Sequence, residues 1–350
     1  MEAMARSGTL EEQRELGRAI ADSWRESLAP LLAPLFESAD VQVRREVLRA
    51  ARQWPLPSSF LPALVGLLPD SRLRLDAQAA LVAMGAPALE HLGALLLDPD
   101  VSVIVERELP GAVASFSSQT AVTLLLRRIG EPRGGASRFR SLRALNRLRR
   151  TDPGLVLDRG LLDRALAFEL SSARRGRQTR LQAMALGVSD QPVAAAGALL
   201  LDVLRNKESF AVERAFRVLQ LRFPDHDLER VYLGTKSERP AVRGAATEVL
   251  VELLPSPTRE RLLALLTDGA SPPGPVSGAG PDERRRLAED LLGSSSKIVR
   301  LLTARIAAEE GWGEVLPALE AAASRAAGDD LEVVLNAIAR LEYAEVQAHG

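Results

Sequence analysis

Arginine carries most of the chemistry this 350-residue chain can offer. Forty-two of its 45 cations are arginines, and Lys207, Lys236 and Lys297 make up the remainder. Arg138, Arg140, Arg143, Arg147, Arg149 and Arg150 crowd one stretch, and Arg174, Arg175, Arg177 and Arg180 follow. From Arg127 to Arg180 there are 15 basic and 5 acidic residues, an excess of about +10; the rest of the chain carries about −11. A guanidinium presents a planar fork of donors that matches carboxylate or phosphate oxygens two at a time. On a helix, positions 140, 143 and 147 share one side. If stacked helices set the second cluster beside the first, the result is a positive ridge. It would suit nucleic-acid phosphate, an anionic membrane surface or an acidic protein partner. Against these stands a solvated face whose arginine stems cover apolar surface, or a genome-wide bias toward arginine. Only Phe139 and Phe168 lie nearby to stack on bases, which weighs against single-strand recognition.

Other chemistries find little support. There is no cysteine, so disulfides and thiolate metal sites do not arise. His91, His226 and His349 are far apart, and none has a ligand-like partner one helical turn away. His226 sits in Pro224-Asp225-His226-Asp227, which reads as a polar turn with an aspartate capping the next helix. No phosphate-loop or nucleophile-elbow motif occurs. The pairs Glu11-Glu12, Glu309-Glu310 and Asp329-Asp330 point about 100° apart on a helix, a poor geometry for acid–base work. Trp54 and Trp312 are recognition aromatics or packed side chains. The expectation is a protein without catalysis, metal or cofactor.

Hydrophobic residues are 46% but aromatics only 4%, so the core must be leucine, alanine and valine. Alanine and leucine favour helix, and period-two runs of β-branched residues are scarce, so the expected class is all-α. Formal net charge is −1, which gives no global pull toward polyanions. The start lacks a signal-peptide pattern. No uncharged run approaches the length that a membrane span needs. A soluble, cytoplasmic chain is expected.

The elements that would position the arginines show a period. Arg44, Arg74, Arg107, Arg140, Arg180, Arg214, Arg243 and Arg300 recur near the starts of alanine-rich apolar stretches. Their spacing is nearly regular, with one longer interval before Arg300. Such a period marks stacked supersecondary units. Asp40 and Asp70 each precede an arginine by one helical turn, suited to an N-cap, and Ser296 repeats the spacing before Arg300. The arginine then falls near the first turn, within reach of a carboxylate from a neighbouring unit. Pro62, Pro87 and Pro317 suit first helical turns, where the missing N–H is harmless, whereas Pro110 falls inside a helical pattern. Thr9 and Glu12 form a capping box for the first helix, with Leu16, Ile20 and Trp24 on one face.

Asp70 to Gly85, of form D-x-x-x-R-x-x-A-x-x-A-L-x-x-x-G, resembles a bacterial HEAT-like repeat, and the likeness extends over roughly Asp40 to Ala308. Neither the tetratricopeptide nor the ankyrin pattern is present. A narrower likeness runs from Asp98 to Leu266. Its elements are Asp98-Pro99-Asp100, Arg107 with Pro110, Arg140 to Leu148, Glu213 to Leu219 and Arg243 to Leu250. These are similar to the HEAT-repeat tails fused to some nucleotide-carrier-like membrane transporters. The resemblance implies an α-solenoid of about eight helical hairpins that binds a protein partner, with association to a membrane transporter as a further implication. Residues 1–39 would cap the array, and 40–350 would form it, with a disordered loop insertion at 268–281. The alternative is a nucleic-acid-binding protein using the basic ridge at 127–180. Its enzymatic form, a HEAT-like repair glycosylase, needs an aromatic-plus-aspartate constellation that is not evident. A chaperone or lyase for tetrapyrrole-bearing proteins is a third class without specific support.

Overall fold

The computed structural model describes residues 1–54, 56–131, 134–188, 195–267 and 280–349, and the side chains of 345, 348 and 349 are outside this description. Among these residues the fold is all-helical. The helices are α1 (Glu2–Ser7), α2 (Leu10–Asp22), α3 (Ala29–Phe36), α4 (Val41–Gln53), α5 (Leu61–Gly66), α6 (Arg74–Met84) and α7 (Ala86–Leu97). There follow α8 (Val103–Glu106), α9 (Leu109–Ala114), α10 (Gln119–Gly130), α11 (Gly135–Thr151), α12 (Arg159–Ala185), α13 (Ala195–Arg222) and α14 (Leu228–Thr235). The last are α15 (Pro240–Leu253), α16 (Thr258–Leu266), α17 (Pro281–Leu292), α18 (Lys297–Glu309), α19 (Leu316–Ala323) and α20 (Asp329–His349).

Contacts divide the chain into two compact units. One comprises Met1–Leu166 with Phe216–Glu229, the other Ala167–Ala215 with Arg230–Gly350. Residues 1–39, expected to form a cap, belong to the same unit as the helices that follow them.

In the first unit α2 packs on α4 and α4 on α6, while α3, α5 and α7 pack against members of that row. Further along, α9 packs on α7, α10 and α11, and α10 on α11. The buried side chains are mainly leucine, alanine and valine, as the composition requires: Leu32, Leu35, Val47, Leu48, Leu64, Ala77, Leu81 and Leu92 are fully covered. Gly93 lets α7 approach α10, because a Cβ there would lie 2.8 Å from the Leu124 side chain. In the second unit one core draws on α12, α13 and α17–α20, with Leu200, Leu204, Val299, Ile306, Leu319 and Leu341 among its members.

The helix boundaries follow local chemistry. Thr9 and Glu12 close the capping box reciprocally, the Thr9 N–H donating to Glu12 Oε2 at 2.7 Å and the Glu12 N–H to Thr9 Oγ1 at 3.3 Å. Asp40 caps α4 by accepting from the Gln42 and Val43 amides at 2.8 and 2.9 Å. Pro30, Pro62, Pro87, Pro240, Pro281 and Pro317 stand in first turns. Gly85, at φ +70, ends α6.

Several expectations are corrected. Asp70 does not cap α6; its carboxylate accepts from the Arg72 amide in a turn that precedes the helix, which starts only at Arg74. Ser296 occupies the N-cap of α18 without a side-chain cap bond. Pro110 is not in a helix interior, because the chain breaks into α8 and α9 and places it in the first turn of α9, where no amide is needed. Trp24 lies beyond the end of α2. The segment read as a loop insertion at 268–281 lies outside the described residues except for Gly280 and Pro281, and the latter opens α17.

The largest departure from a short-hairpin pattern is the pair α12 and α13, of 27 and 28 residues. Neither contains a proline, and a single interior glycine costs only about 1 kcal/mol, so nothing local stops them. Gly176 faces Glu208 across this pair, with room for a Cβ at 3.7 Å.

Candidate functional site on the arginine-rich helix

Helix α11 is the most strongly charged element. It holds six arginines and no acidic residue. Its entry depends on Gly134, which adopts a left-handed conformation at φ +66; a Cβ there would lie 2.4 Å from Arg128 Nη2 and 3.0 Å from Glu106 Oε1. Those two groups form a part-buried ion pair at 2.7 Å, and Arg128 Nε also donates to Ser137 Oγ at 3.0 Å. A left-handed position beside a tight pair admits only glycine without strain.

The arginines of α11 have separate fates. Arg138 is buried, only 3% exposed, and its Nη1 donates to the Glu131 carbonyl at 3.3 Å. Arg149 turns back over the helix end and donates to the carbonyls of Pro153 and, at 2.7 Å, Leu155. A cation satisfying carbonyls at a helix C-terminus also complements the helix dipole. Arg140 is half-buried, and Arg143, Arg147 and Arg150 are exposed. At 100° per residue these four fall within an arc of about 80°, spread over about 15 Å of helix.

The surroundings reinforce the charge. Burial, and then the neighbouring cations Arg107 and Arg143, lower the pKa of Arg140, against the pull of Glu108 and Glu106. Both acids already hold cations: Glu106 pairs with Arg128, and Glu108 with Arg74 at 3.0 Å. Phe139 lies under Arg217 of α13, with the guanidinium carbon 4.6 Å from the ring centroid, and Arg143 stands at 6.0 Å. Asn146 ties the same two helices, donating to the Leu142 and Arg217 carbonyls at 2.9 and 3.0 Å.

The second basic cluster is in the other compact unit, on α12. Arg174 and Arg175 are exposed. Arg177 and Arg180 both pair with the buried Glu208, at 2.6 and 3.3 Å. Arg177 also donates to the carbonyls of Ala264 and Leu265, at 2.7 and 2.5 Å, and so closes the end of α16. Of the ten arginines singled out from sequence, Arg138, Arg177 and Arg180 therefore serve the interior and Arg149 the helix end. Arg143, Arg147, Arg150, Arg174 and Arg175 face solvent, with Arg140 between.

The periodic arginines form a second arrangement. Arg44 faces Asp70 at 3.8 Å, Arg74 meets Glu108 at 3.0 Å, and Arg300 meets Asp330 at 3.1 Å. Each carboxylate stands one period further along the chain. Arg74, Arg243 and Arg300 also donate to the carbonyls of Leu68, Ser237 and Ser294, at 2.9, 2.8 and 2.8 Å. One arginine thus closes the end of the preceding turn and, in Arg74 and Arg300, holds a later carboxylate. Arg14 makes the same kind of pair with Asp40, at 2.7 Å. Sequence reading missed it, although it stands one period before Arg44.

The remaining candidates are structural in their surroundings. Trp312 is buried in the second core. Trp54 is part-exposed and donates its indole N–H to the Ala21 carbonyl at 3.0 Å. The His226 turn is bracketed by Gln220, which donates to the His226 carbonyl and accepts from the Leu228 amide. Among the described residues no three of His, Asp and Glu gather to hold a metal ion, and no single helix is long and apolar enough to cross a membrane. No protein-family model matches the chain, and no curated protein matches it.

Proposed function

We propose that this chain is a non-catalytic, protein-binding scaffold or regulatory module of the cytoplasm, built as a HEAT-like α-solenoid. Residues 1–39 cap the array that 40–350 form. One observation supports this reading above the others: Arg14, Arg44, Arg74 and Arg300 meet carboxylates one period ahead, whereas Arg107 pairs with the adjacent Glu108 and Arg214 with the earlier Glu169. A repeat held by nearest-neighbour pairs is the economy of a solenoid, and solenoids present long faces to partners rather than enclosed reaction chambers. Arg14–Asp40 extends the pattern into the capping segment.

Two measurements test the reading. Solution scattering should give a radius of gyration well above the ~20 Å of a compact globule of this length; a value at the globular limit would remove the solenoid. For function, the tagged chain should retain a protein from nuclease-treated native extract, and the purified pair should re-form a stoichiometric complex. Recovery of nucleic acid alone would instead favour a nucleic-acid-binding role.

A further inference from the structure

We propose that the exposed face of α11, formed by Arg140, Arg143, Arg147 and Arg150, docks an acidic amphipathic helix of a partner protein. The proposal rests on the protein-binding reading and gives it a surface and a partner chemistry.

Three observations favour this occupant. The first is charge complementarity without internal competition. The helix has no acid of its own, and the two carboxylates that act on Arg140, Glu106 and Glu108, are held by Arg128 and Arg74. Asp152, just past the helix end, accepts the Gly154 amide at 2.9 Å.

The second is geometry. The four cations run straight along about 15 Å of helix, one turn apart. A partner helix carries carboxylates at the same i, i+3, i+7, i+10 spacing and rise, so rows can pair in register. Arginine accepts such carboxylates through a directional fork.

The third observation weighs against single-stranded nucleic acid. The one aromatic ring on α11, Phe139, is half-buried and already stacked against Arg217 at 4.6 Å, so it offers no platform for a base.

The test uses the full chain and a labelled peptide long enough to hold helix, about 18 residues, with glutamates in one stripe. A second peptide has the same composition with its glutamates dispersed around the helix, and a short duplex DNA completes the set. Fluorescence anisotropy at about 0.15 M salt should show the striped peptide binding at least about tenfold tighter than the dispersed one. Arg143→Gln with Arg147→Gln should weaken it by about tenfold, two exposed charge pairs' worth. Arg305→Gln, an exposed cation of the other unit, should change it less than about twofold. As these side chains are exposed, the double variant should keep its circular dichroism and melting temperature. Should it not fold, the charge-swapped pair Arg143→Glu and Arg147→Glu should bind a lysine-striped peptide instead. Equal affinity for striped and dispersed peptides, tighter binding of the duplex, or an equal loss in Arg305→Gln would each overturn the assignment. If the striped peptide fails while a captured protein partner still forms a purified complex, the scaffold reading stands and the α11 face is not its site.

Discussion

Single side chains here often perform two tasks, and Asp40 is the clearest case. Its carboxylate caps α4 and accepts both Nε and Nη2 of Arg14, at 3.3 and 2.7 Å. The Arg14 hydrogen bonds, then the Val43 amide, Coulombic attraction and the Gln42 amide, bring its pKa down to about 2, against a smaller opposing effect of burial. An unfolded aspartate titrates at about 3.9. A depressed folded pKa means that the charged form favours the native state, so its contribution is complete above about pH 4 and disappears as pH falls toward 2. Asp40→Asn should therefore be less stable than the parent at pH 5. In urea titrations the gap should narrow steadily from pH 4 to pH 2, and a pH-independent gap would exclude the linkage. At Gly134 the demand is conformational. Gly134→Ala must hold a left-handed backbone and crowd the Arg128–Glu106 pair, and should lose about 1–3 kcal/mol. Equal denaturation midpoints and slopes for the two proteins would show that the turn adjusts freely.

At the scale of one element, α11 divides the same residue type between interior and surface. Arg138→Gln removes a buried cation's hydrogen bonds and should cost about 1.5–3 kcal/mol. Arg147→Gln, on the exposed side of the same helix, should stay within about 0.5 kcal/mol. Comparing the two urea midpoints checks the division, and similar losses would mean that the faces are wrongly assigned. The long helices α12 and α13 follow the opposite logic, since their persistence reflects the lack of any stop. Glu208 anchors them by drawing two arginines of α12 to one buried carboxylate. Removing one member of such a cluster strands the others, so its loss should be felt more than that of any exposed pair.

For the molecule as a whole, the question is how far a local loss spreads. Arg74 is in the first compact unit and Arg300 in the second, and each joins its helix to a later carboxylate. If stability is a sum of unit and nearest-neighbour terms, Arg74→Ala should cost about 1–2 kcal/mol. Its effect on amide exchange should concentrate in α4 to α9. Arg300→Ala should do the same around α18 and α20, and the double variant should be additive to within about 0.5 kcal/mol. Uniform loss of protection along the chain, in either variant, would show a single cooperative body instead.

What the sequence determined by itself was chiefly local and periodic. The all-helical class, the capping box at Thr9, the Asp40 cap and the prolines in first turns all depend on backbone chemistry close by in the chain. The recurrence of arginine survives because it is a spacing, and spacing is one-dimensional. Tertiary structure alone decided which arginines are spent. Nothing near Arg138 or Arg177 in the chain distinguishes them from Arg143 or Arg174, because burial and partners come from residues as distant as Leu265. The stack of Arg217 on Phe139, far apart in the chain, was invisible for the same reason. Asp70 shows the limit in miniature: its spacing to Arg74 matches that of Asp40 to Arg44, yet an extra turn moved the helix start beyond its reach. A charge motif names the chemistry on offer, and only packing tells whether solvent, a neighbouring helix or a partner receives it.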